Sequence, residues 1–468
     1  MWQDARNESE ASGVPAPATG SWLAHAGATV NLALPLIGVQ LAQVTMNVTD
    51  TVMVGWLGAA ELAATVLATQ AFFLFFIFGS GFAHAAVPLA AGAQGRGDIR
   101  GVRRSIRMSV WVLAIYGALT LIPLTFLEPI LLALDQKPET ARLAGAYMAL
   151  GQWSMFPALL ILSLRAYLTV VNRAYLMLTV IVAGALANAG FNWVFIFGHL
   201  GAPALGIVGA AMATLLSNLL MAALLVGYTV LAPALTRYEL YQRAWRPDWP
   251  AFFEVLRLGL PISATIIAEV SLFATSSIMM GWLGTIPLAA HGIALQIASV
   301  SFMIPLGLAS AATVRVGLAF GQKDRIALGR AGNVAIGIGG AIALSAAILF
   351  WLMPDRLISL YLDADNPNSA DVLATAVPLL LVAAVFQLAD SLQAVGAGVL
   401  RGMKDTRVPM VIALVSYWAV GMPVAYVLAF PLGLGGPGIW WGLASGLAAA
   451  AALMNWRYVR RERLGLLG

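Results

Sequence analysis

One stretch, Leu260–Gly284, constrains the fold of this chain more than any other. It reads LPISATIIAEVSLFATSSIMMGWLG, with a single acidic group, Glu269, near its middle. About 20 residues at 1.5 Å each cross a hydrocarbon core of about 30 Å, so the stretch spans a bilayer as one helix. A charge at the centre of such a helix costs about 2.5–3.5 kcal/mol on insertion scales, and residues of this kind face a protein interior or a water-filled cavity. The stretch also has a counterpart near the start of the chain. Leu34-Pro35 precedes Gly55-Trp56-Leu57-Gly58 as Leu260-Pro261 precedes Gly281-Trp282-Leu283-Gly284, at a constant offset of 226 residues. One helix therefore signals both a buried acid and a duplicated chain.

Hydropathy marks twelve spans, at 28–56, 62–93, 108–134, 144–171, 174–198 and 205–232, then 259–284, 287–320, 331–353, 372–399, 408–432 and 437–457. With 60% of residues hydrophobic and 10% charged, at a mean hydropathy of +0.86, there is too little polar surface to cover a soluble globule. The expected fold class is an all-α integral membrane protein of twelve transmembrane helices, arranged as two pseudo-symmetric six-helix lobes. The expected division is a polar cytoplasmic tail over 1–27, an N-terminal lobe over 28–235, an inter-lobe linker over 236–258, a C-terminal lobe over 259–457 and a basic tail over 458–468. The tail at 1–27 lacks a basic start followed by an apolar core, so it does not read as a cleaved signal peptide.

Orientation follows from the basic residues. Of the 26 Lys and Arg, all but Lys137, Arg142 and Arg356 fall in tails and loops on one side of the twelve spans. Basic loops are the cytoplasmic ones, which puts both termini inside. The net charge of +5 is thus a topology signal, and no basic face for nucleic acid emerges. Six spans per half is an even number, so both halves start on the same side and form a parallel repeat, a layout found in secondary transporters. At the same offset of 226, Gly81-Phe82-Ala83 matches Gly307-Leu308-Ala309, and Gly95 with Asp98 matches Gly321 with Asp324. Chance similarity between Gly/Ala/Leu-rich helices does not reproduce paired prolines, GWLG and a Gly/Asp loop together.

Three acids fall well inside spans: Asp50, Glu269 and Asp390. In repeat register Glu269 falls on Gln43 and Asp50 on Ser276, so each half uses one helix face but sets its acid at a different depth. No Lys or Arg is expected at mid-span to pair with them. Two readings stand: acids satisfied structurally by hydroxyls or a buried Arg, and acids that hold protons or a cation. Desolvation raises the pKa of a buried carboxyl, which suits a proton site. Carboxylates with amide and hydroxyl oxygens suit a hard cation such as sodium, which takes oxygen ligands as calcium and magnesium do. Neutral oxygens are at hand in Gln43, Thr49, Asn188 and Asn192 of one half, and in Thr265, Ser276 and Gln387 of the other. His84 and His291 sit near span interiors, as hydrogen-bonded packing residues or as proton relays. Arg165 and Arg315 near span ends read as anchors that snorkel to the interface. His25 reads as a tail residue.

Enzyme chemistry finds little to build on. Cysteine is absent, which removes disulfides, zinc–thiolate sites and thiol nucleophiles. No Walker-type glycine loop, HExxH helix or GxSxG elbow is present.

Asp50-Thr51-Val52-Met53-Val54-Gly55, Ala290-His291, Arg315-Val316-Gly317 and Leu400-Arg401-Gly402-Met403-Lys404-Asp405 resemble multidrug and toxic compound extrusion (MATE) transporters. The resemblance covers the chain after its N-terminal tail, and it is strongest to the NorM-like branch. There Ala268-Glu269-Val270 is similar to the seventh-span acid motif, Gln387-Leu388-Ala389-Asp390 to the tenth, Asp50 to the first-span acid, and Asn188 with Asn192 to the fifth-span asparagines. The resemblance implies a V-shaped efflux antiporter of a bacterial-type inner membrane. It would export organic cations and amphipathic drugs in exchange for sodium or protons by alternating access. Asp50, Glu269 and Asp390 would couple the ion, with sodium placed at Glu269 and Asp390; no cofactor is implied. Its partners would be small cationic or amphipathic substrates and membrane lipids, not nucleic acid, with the protein a monomer. One departure stands out: some NorM-like members carry Tyr four residues before the tenth-span acid, where this chain has Phe386. The alternatives are a flippase for a lipid-linked saccharide, which needs several cationic groups in its cavity, and an intramembrane enzyme, which needs a nucleophile–base pair.

Overall fold

Lipid offers no partner to a backbone N–H or C=O, so a spanning chain must satisfy these groups within itself. The computed structural model, which describes residues 21–363 and 367–467, meets that demand with helices alone: no strand occurs among the described residues. Among the described residues twelve helices are long and apolar enough to cross a membrane. They are α1 Trp22–Gly55, α2 Ala59–Gly95, α3 Ile99–Thr125, α4 Pro138–Val170, α5 Ala174–Phe197, α6 Ile207–Leu231, α7 Trp249–Leu283, α8 Thr285–Gln322, α9 Arg325–Leu352, α10 Ser369–Gly402, α11 Arg407–Ala429 and α12 Gly435–Val459.

The helices correspond one to one to the hydropathic spans, but several run past them. Hydropathy falls at the first cluster of charges, whereas a helix continues until a cap or breaker ends its hydrogen-bond ladder. Thus α1 begins at Trp22, inside the expected tail, while residues 1–20 with Arg6 lie outside the described residues. His25 is accordingly a buried helix residue, not a tail residue. Arg100, Arg103, Arg104 and Arg107 ride on the first turns of α3, and α7 begins at Trp249 within the expected linker. The expected span 108–134 is broken, because α3 ends at Thr125 and a separate short helix, Leu127–Ala133, follows. The fourth helix starts at Pro138, whose missing N–H costs nothing at a first turn.

Local chemistry repeats with the offset. Asp98 Oδ1 accepts from Gly101 N at 2.8 Å to cap α3, and Asp324 Oδ1 accepts from Ile326 N at 3.0 Å and Ala327 N at 2.9 Å to cap α9. Caps of this kind are worth about 1 kcal/mol each. The last glycines of the two GWLG motifs, Gly58 at φ +150° and Gly284 at φ +127°, take a backbone conformation that a side chain would strain. Prolines leave their mark too. Pro157 has no N–H for the carbonyl of Trp153, and the turn Gln152–Ser154 tightens to 3₁₀; Pro423 leaves Ala419 in the same state, and Val415–Gly421 widens to a π-helix.

The chain divides into two compact units, Gly38–Ser263 and the residues up to Ile37 together with those from Ala264 onward. This division departs from lobes bounded at 28–235 and 259–457: the first part of α1 goes with the later helices, and the first part of α7 with the earlier ones. Each stub is seated through a glycine. In one unit a β-carbon on Gly81 would lie 2.5 Å from Ser263 N; in the other, one on Gly307 would lie 2.8 Å from Ile37 N. Both pairs are equivalent at the offset of 226. Helix pairings repeat as well: α2 packs on α3 and α4 and α5 on α6 in one unit, as α8 packs on α9 and α10 and α11 on α12 in the other.

The linker is fastened within its own unit. Arg103 Nη1 donates to Glu239 Oε2 and Gln242 Oε1, both at 2.8 Å, and Arg104 Nη2 donates to Asp248 Oδ1 at 2.8 Å. Trp111 Nε1 donates to the Ala244 carbonyl at 2.8 Å, and Tyr238 OH to Gln94 Oε1 at 3.0 Å. The hydrogen bond from Arg104 holds the Asp248 carboxyl below the usual carboxylate range.

Candidate functional site

Each unit holds an acid against neutral polar groups. In the unit Gly38–Ser263, Asp50 is half-buried near the end of α1. Its Oδ1 accepts a hydrogen bond from Asn192 Nδ2 at 2.5 Å, and the same amide lies 3.2 Å from Asn188 Oδ1. Asn188 and Asn192 are four apart on α5, hence on one face, and both are fully buried. Asn188 Nδ2 and Asn192 Oδ1 have no hydrogen-bond partner. From α4, the buried phenol of Tyr147 reaches the electrostatic range of Asp50. Gln43 is half-buried two turns earlier on α1, and no described hydrogen bond ties it to Asp50.

In the other unit, Glu269 is half-buried on α7 and Asp390 is buried on α10, close enough to interact electrostatically. Gln387, one turn before Asp390, is fully buried, and neither its Oε1 nor its Nε2 has a hydrogen-bond partner. Asp390 Oδ1 is likewise unpartnered. Thr265 lies half-buried one turn before Glu269. Phe386 packs edge-on against Phe273 at 6.0 Å and Trp440 at 5.3 Å between ring centroids. Among the described residues no three His, Asp or Glu gather as a metal-ion cluster.

Several residues stand elsewhere than their types suggested. Ser276 is turned to a different cluster: its Oγ donates to the Phe273 carbonyl at 2.8 Å and lies 3.4 Å from His291 Nε2. Ser277 Oγ lies 3.2 Å from the same nitrogen, and Trp440 Nε1 donates to His291 Nδ1 at 3.1 Å. Indole N–H can only donate, so Nδ1 is an acceptor, the proton sits on Nε2, and His291 is a neutral ring with both nitrogens engaged. This is the geometry of a packing residue. His84 lies half-buried on α2. Arg165 Nη1 donates to Gln40 Oε1 at 2.9 Å, and Arg315 bonds the His25 carbonyl, Thr29 Oγ1 and His25 Nδ1. These two arginines are tied into the protein, where the sequence reading had them reach for an interface.

Two groups near the acids escaped sequence reading. Arg401 had been counted with a loop, but it is the penultimate residue of α10 and within electrostatic range of Glu269, so the acidic pair has a cation near it. Tyr417 stands on the π-helical turn of α11, fully buried, its hydroxyl without a partner and within electrostatic range of both Glu269 and Asp390. The signal that pointed there was Pro423, which disturbs the ladder one turn later.

Known proteins match this chain over most of its length. The MatE family model matches residues 35–194 and again 261–427, two stretches whose starts are one repeat offset apart. The chain is 54% identical over 450 residues to the "Probable multidrug resistance protein NorM" of Rhizobium meliloti (strain 1021), covering 96% of each chain. It is 50% identical to the protein of the same description from Agrobacterium fabrum (strain C58), covering 94% of this chain and 95% of that one. Among solved structures, the eukaryotic MATE transporter AtDTX14 superposes with a TM-score of 0.83 at 20% identity, over 95% of this chain and 99% of that one, a likeness of fold.

Proposed function

The chain belongs to the MatE family, and on that footing we propose that it is a multidrug efflux antiporter of a bacterial inner membrane. In this reading both termini are cytoplasmic, organic cations and amphipathic drugs are the substrates, and sodium or a proton is the coupling ion. The protein works as a monomer among membrane lipids, by alternating access, and needs no cofactor. The multidrug part rests on the descriptions of its relatives. The coupling part rests on one observation above all: Asp390 presents a buried carboxylate oxygen with no hydrogen-bond partner, beside a second acid, Glu269.

A buried carboxylate oxygen without a hydrogen bond is costly, so the group gains by taking up a cation or a proton. The same negative charge attracts a cationic drug. Uptake of the coupling ion therefore cancels the attraction and favours release of the substrate. One charge moving through 100 mV supplies about 2.3 kcal/mol, more than a tenfold concentration ratio. Asp50, held by Asn192, provides a third acid for the same chemistry.

The test is dye-cation transport in proteoliposomes under a sodium gradient or a pH gradient, imposed separately. Wild type moves dye under at least one of them, and Glu269→Gln abolishes coupled transport while folding normally. Unchanged transport in Glu269→Gln removes that residue from the mechanism; no transport by wild type under either gradient removes antiport itself.

A further inference from the structure

We propose that the loop joining α6 to α7, with the first turns of α7, is a docking surface for anionic phospholipid headgroups. Only the cytoplasmic side of this loop is carried over from the antiport reading. Depth places the loop among headgroups. Trp111 belongs to the first turn of the apolar span expected at 108–134, and Arg107 directly precedes that span. Side chains on a helix lean towards its N-terminus, which for α3 is the loop side of the membrane. Both residues reach back to the loop. Trp111 Nε1 donates to the Ala244 carbonyl at 2.8 Å, and Arg107 Nη1 to the Arg243 carbonyl at 3.3 Å. Arg243 and Ala244 are therefore held at the edge of the hydrocarbon core, where a headgroup layer of about 5–7 Å begins.

The residues beside them suit that layer. Trp245 is 89% exposed, and Trp249 and Phe253, four apart on α7, are 54% and 60% exposed. Trp249 meets Phe252 and Phe253 with ring centroids 5.6 and 6.5 Å apart, an aromatic cluster that the protein leaves partly uncovered. Tryptophan is enriched at this depth, where its amphipathic ring sits among headgroups. Charge selects the kind of headgroup. The acids of the loop are spent within the protein: Glu239 Oε2 accepts from Arg103 and Asp248 Oδ1 from Arg104, each at 2.8 Å. Glu254, on the first turns of α7, lies within electrostatic range of Arg104 as well. Arg243, Arg246 and Arg257 are exposed and enter no ion pair among the described residues. Guanidinium groups left over in this way match a phosphate whose headgroup carries net negative charge, as in phosphatidylglycerol. A zwitterionic headgroup brings an ammonium that repels them. The loop is already pinned to α3, so docking a lipid orders little that was free.

Binding is read on the purified full chain in dodecyl maltoside micelles, as the rise in melting temperature with added phosphatidylglycerol or phosphatidylcholine. The expected midpoint lies at lower concentration for phosphatidylglycerol. Arg243→Gln combined with Arg246→Gln should weaken the phosphatidylglycerol midpoint about thirtyfold, at about fivefold for each arginine near an anionic surface. Arg460→Gln combined with Arg463→Gln removes the same charge from the C-terminal end and should leave that midpoint unchanged. Glycerol phosphate should give no shift; a shift equal to that of the lipid would make free phosphate the ligand and overturn the assignment. Equal midpoints for the two lipids in wild type, as for a surface that meets another protein, overturn it too. So does an unchanged midpoint in the loop variant, or an equal loss in the C-terminal variant. Antiport is read independently, by dye transport under the two gradients, so its failure and the failure of lipid docking are distinguishable.

Discussion

Changing Gly81 to Ala tests how the first part of α7 is held against α2. The added β-carbon would lie 2.2 Å from Ser263 Oγ, 2.5 Å from Ser263 N and 2.8 Å from Ser263 Cα, where ordinary contacts begin at 3.4 Å. The Oγ can rotate aside at the cost of its 2.6 Å bond to the Phe78 carbonyl, but the backbone atoms cannot. The helices must separate by about 1 Å, and overpacking of this kind costs about 1–3 kcal/mol. Against it runs the gain of about 0.5–1 kcal/mol that Ala brings over Gly inside a helix. Gly227→Ala isolates that gain, since nothing lies within 4 Å of a β-carbon there. The Gly81→Ala protein should thus be less stable than Gly227→Ala by about 1–3 kcal/mol. Gly307→Ala should follow with a smaller loss, because its nearest contact is the Ile37 side chain at 2.5 Å and backbone begins at 2.8 Å. Thermal melting in detergent, followed by tryptophan fluorescence, gives the order. If Gly81→Ala melts at or above Gly227→Ala, the stub is not seated as described and the argument fails.

Other outcomes follow from single contacts. The Arg104–Asp248 pair is partly exposed and worth up to about 1 kcal/mol. Because Asp248 titrates below its ordinary value, its contribution is full above about pH 4 and fades as the pH falls through the lowered folded-state value. The stability difference between wild type and Asp248→Asn should therefore shrink on acidification, and a difference independent of pH would contradict the pairing. Asn192→Leu removes the 2.5 Å donor to Asp50 at similar volume. A bond to a charged group is worth about 1.5–3 kcal/mol, so the initial rate of dye transport should drop about tenfold or more. Asn188→Leu, which leaves that donor in place, should drop it less; equal losses would argue for direct contact by both.

Twelve spans, their helical character and the duplication were legible in the residues themselves. Insertion into lipid is decided segment by segment, by length and hydropathy, and a segment without water must be helical whatever its neighbours are. The matched caps at Asp98 and Asp324 and the positive-φ glycines at Gly58 and Gly284 are equally local, each set by the few residues around it. Asp50, Glu269 and Asp390 could be picked out because an acid inside a span is rare and expensive.

What those acids meet was decided only in three dimensions. Hydropathy fixes that a helix lies in the membrane but not its rotation about its own axis, and that rotation determines which polar atoms face each other. It brought Asn192 to Asp50 and turned Ser276 away to His291, although Ser276 occupies the Asp50 position of the repeat. It also put Tyr417, a residue with no mark in an apolar span, near two acids on other helices, and it gathered Arg401 from an apparent loop into reach of Glu269. The change of partner at Ile37 and Ser263 belongs to the same class. A continuous helix carries no local signal for where along its length the packing neighbours change, because packing joins residues far apart in sequence and the backbone hydrogen bonds run on unbroken.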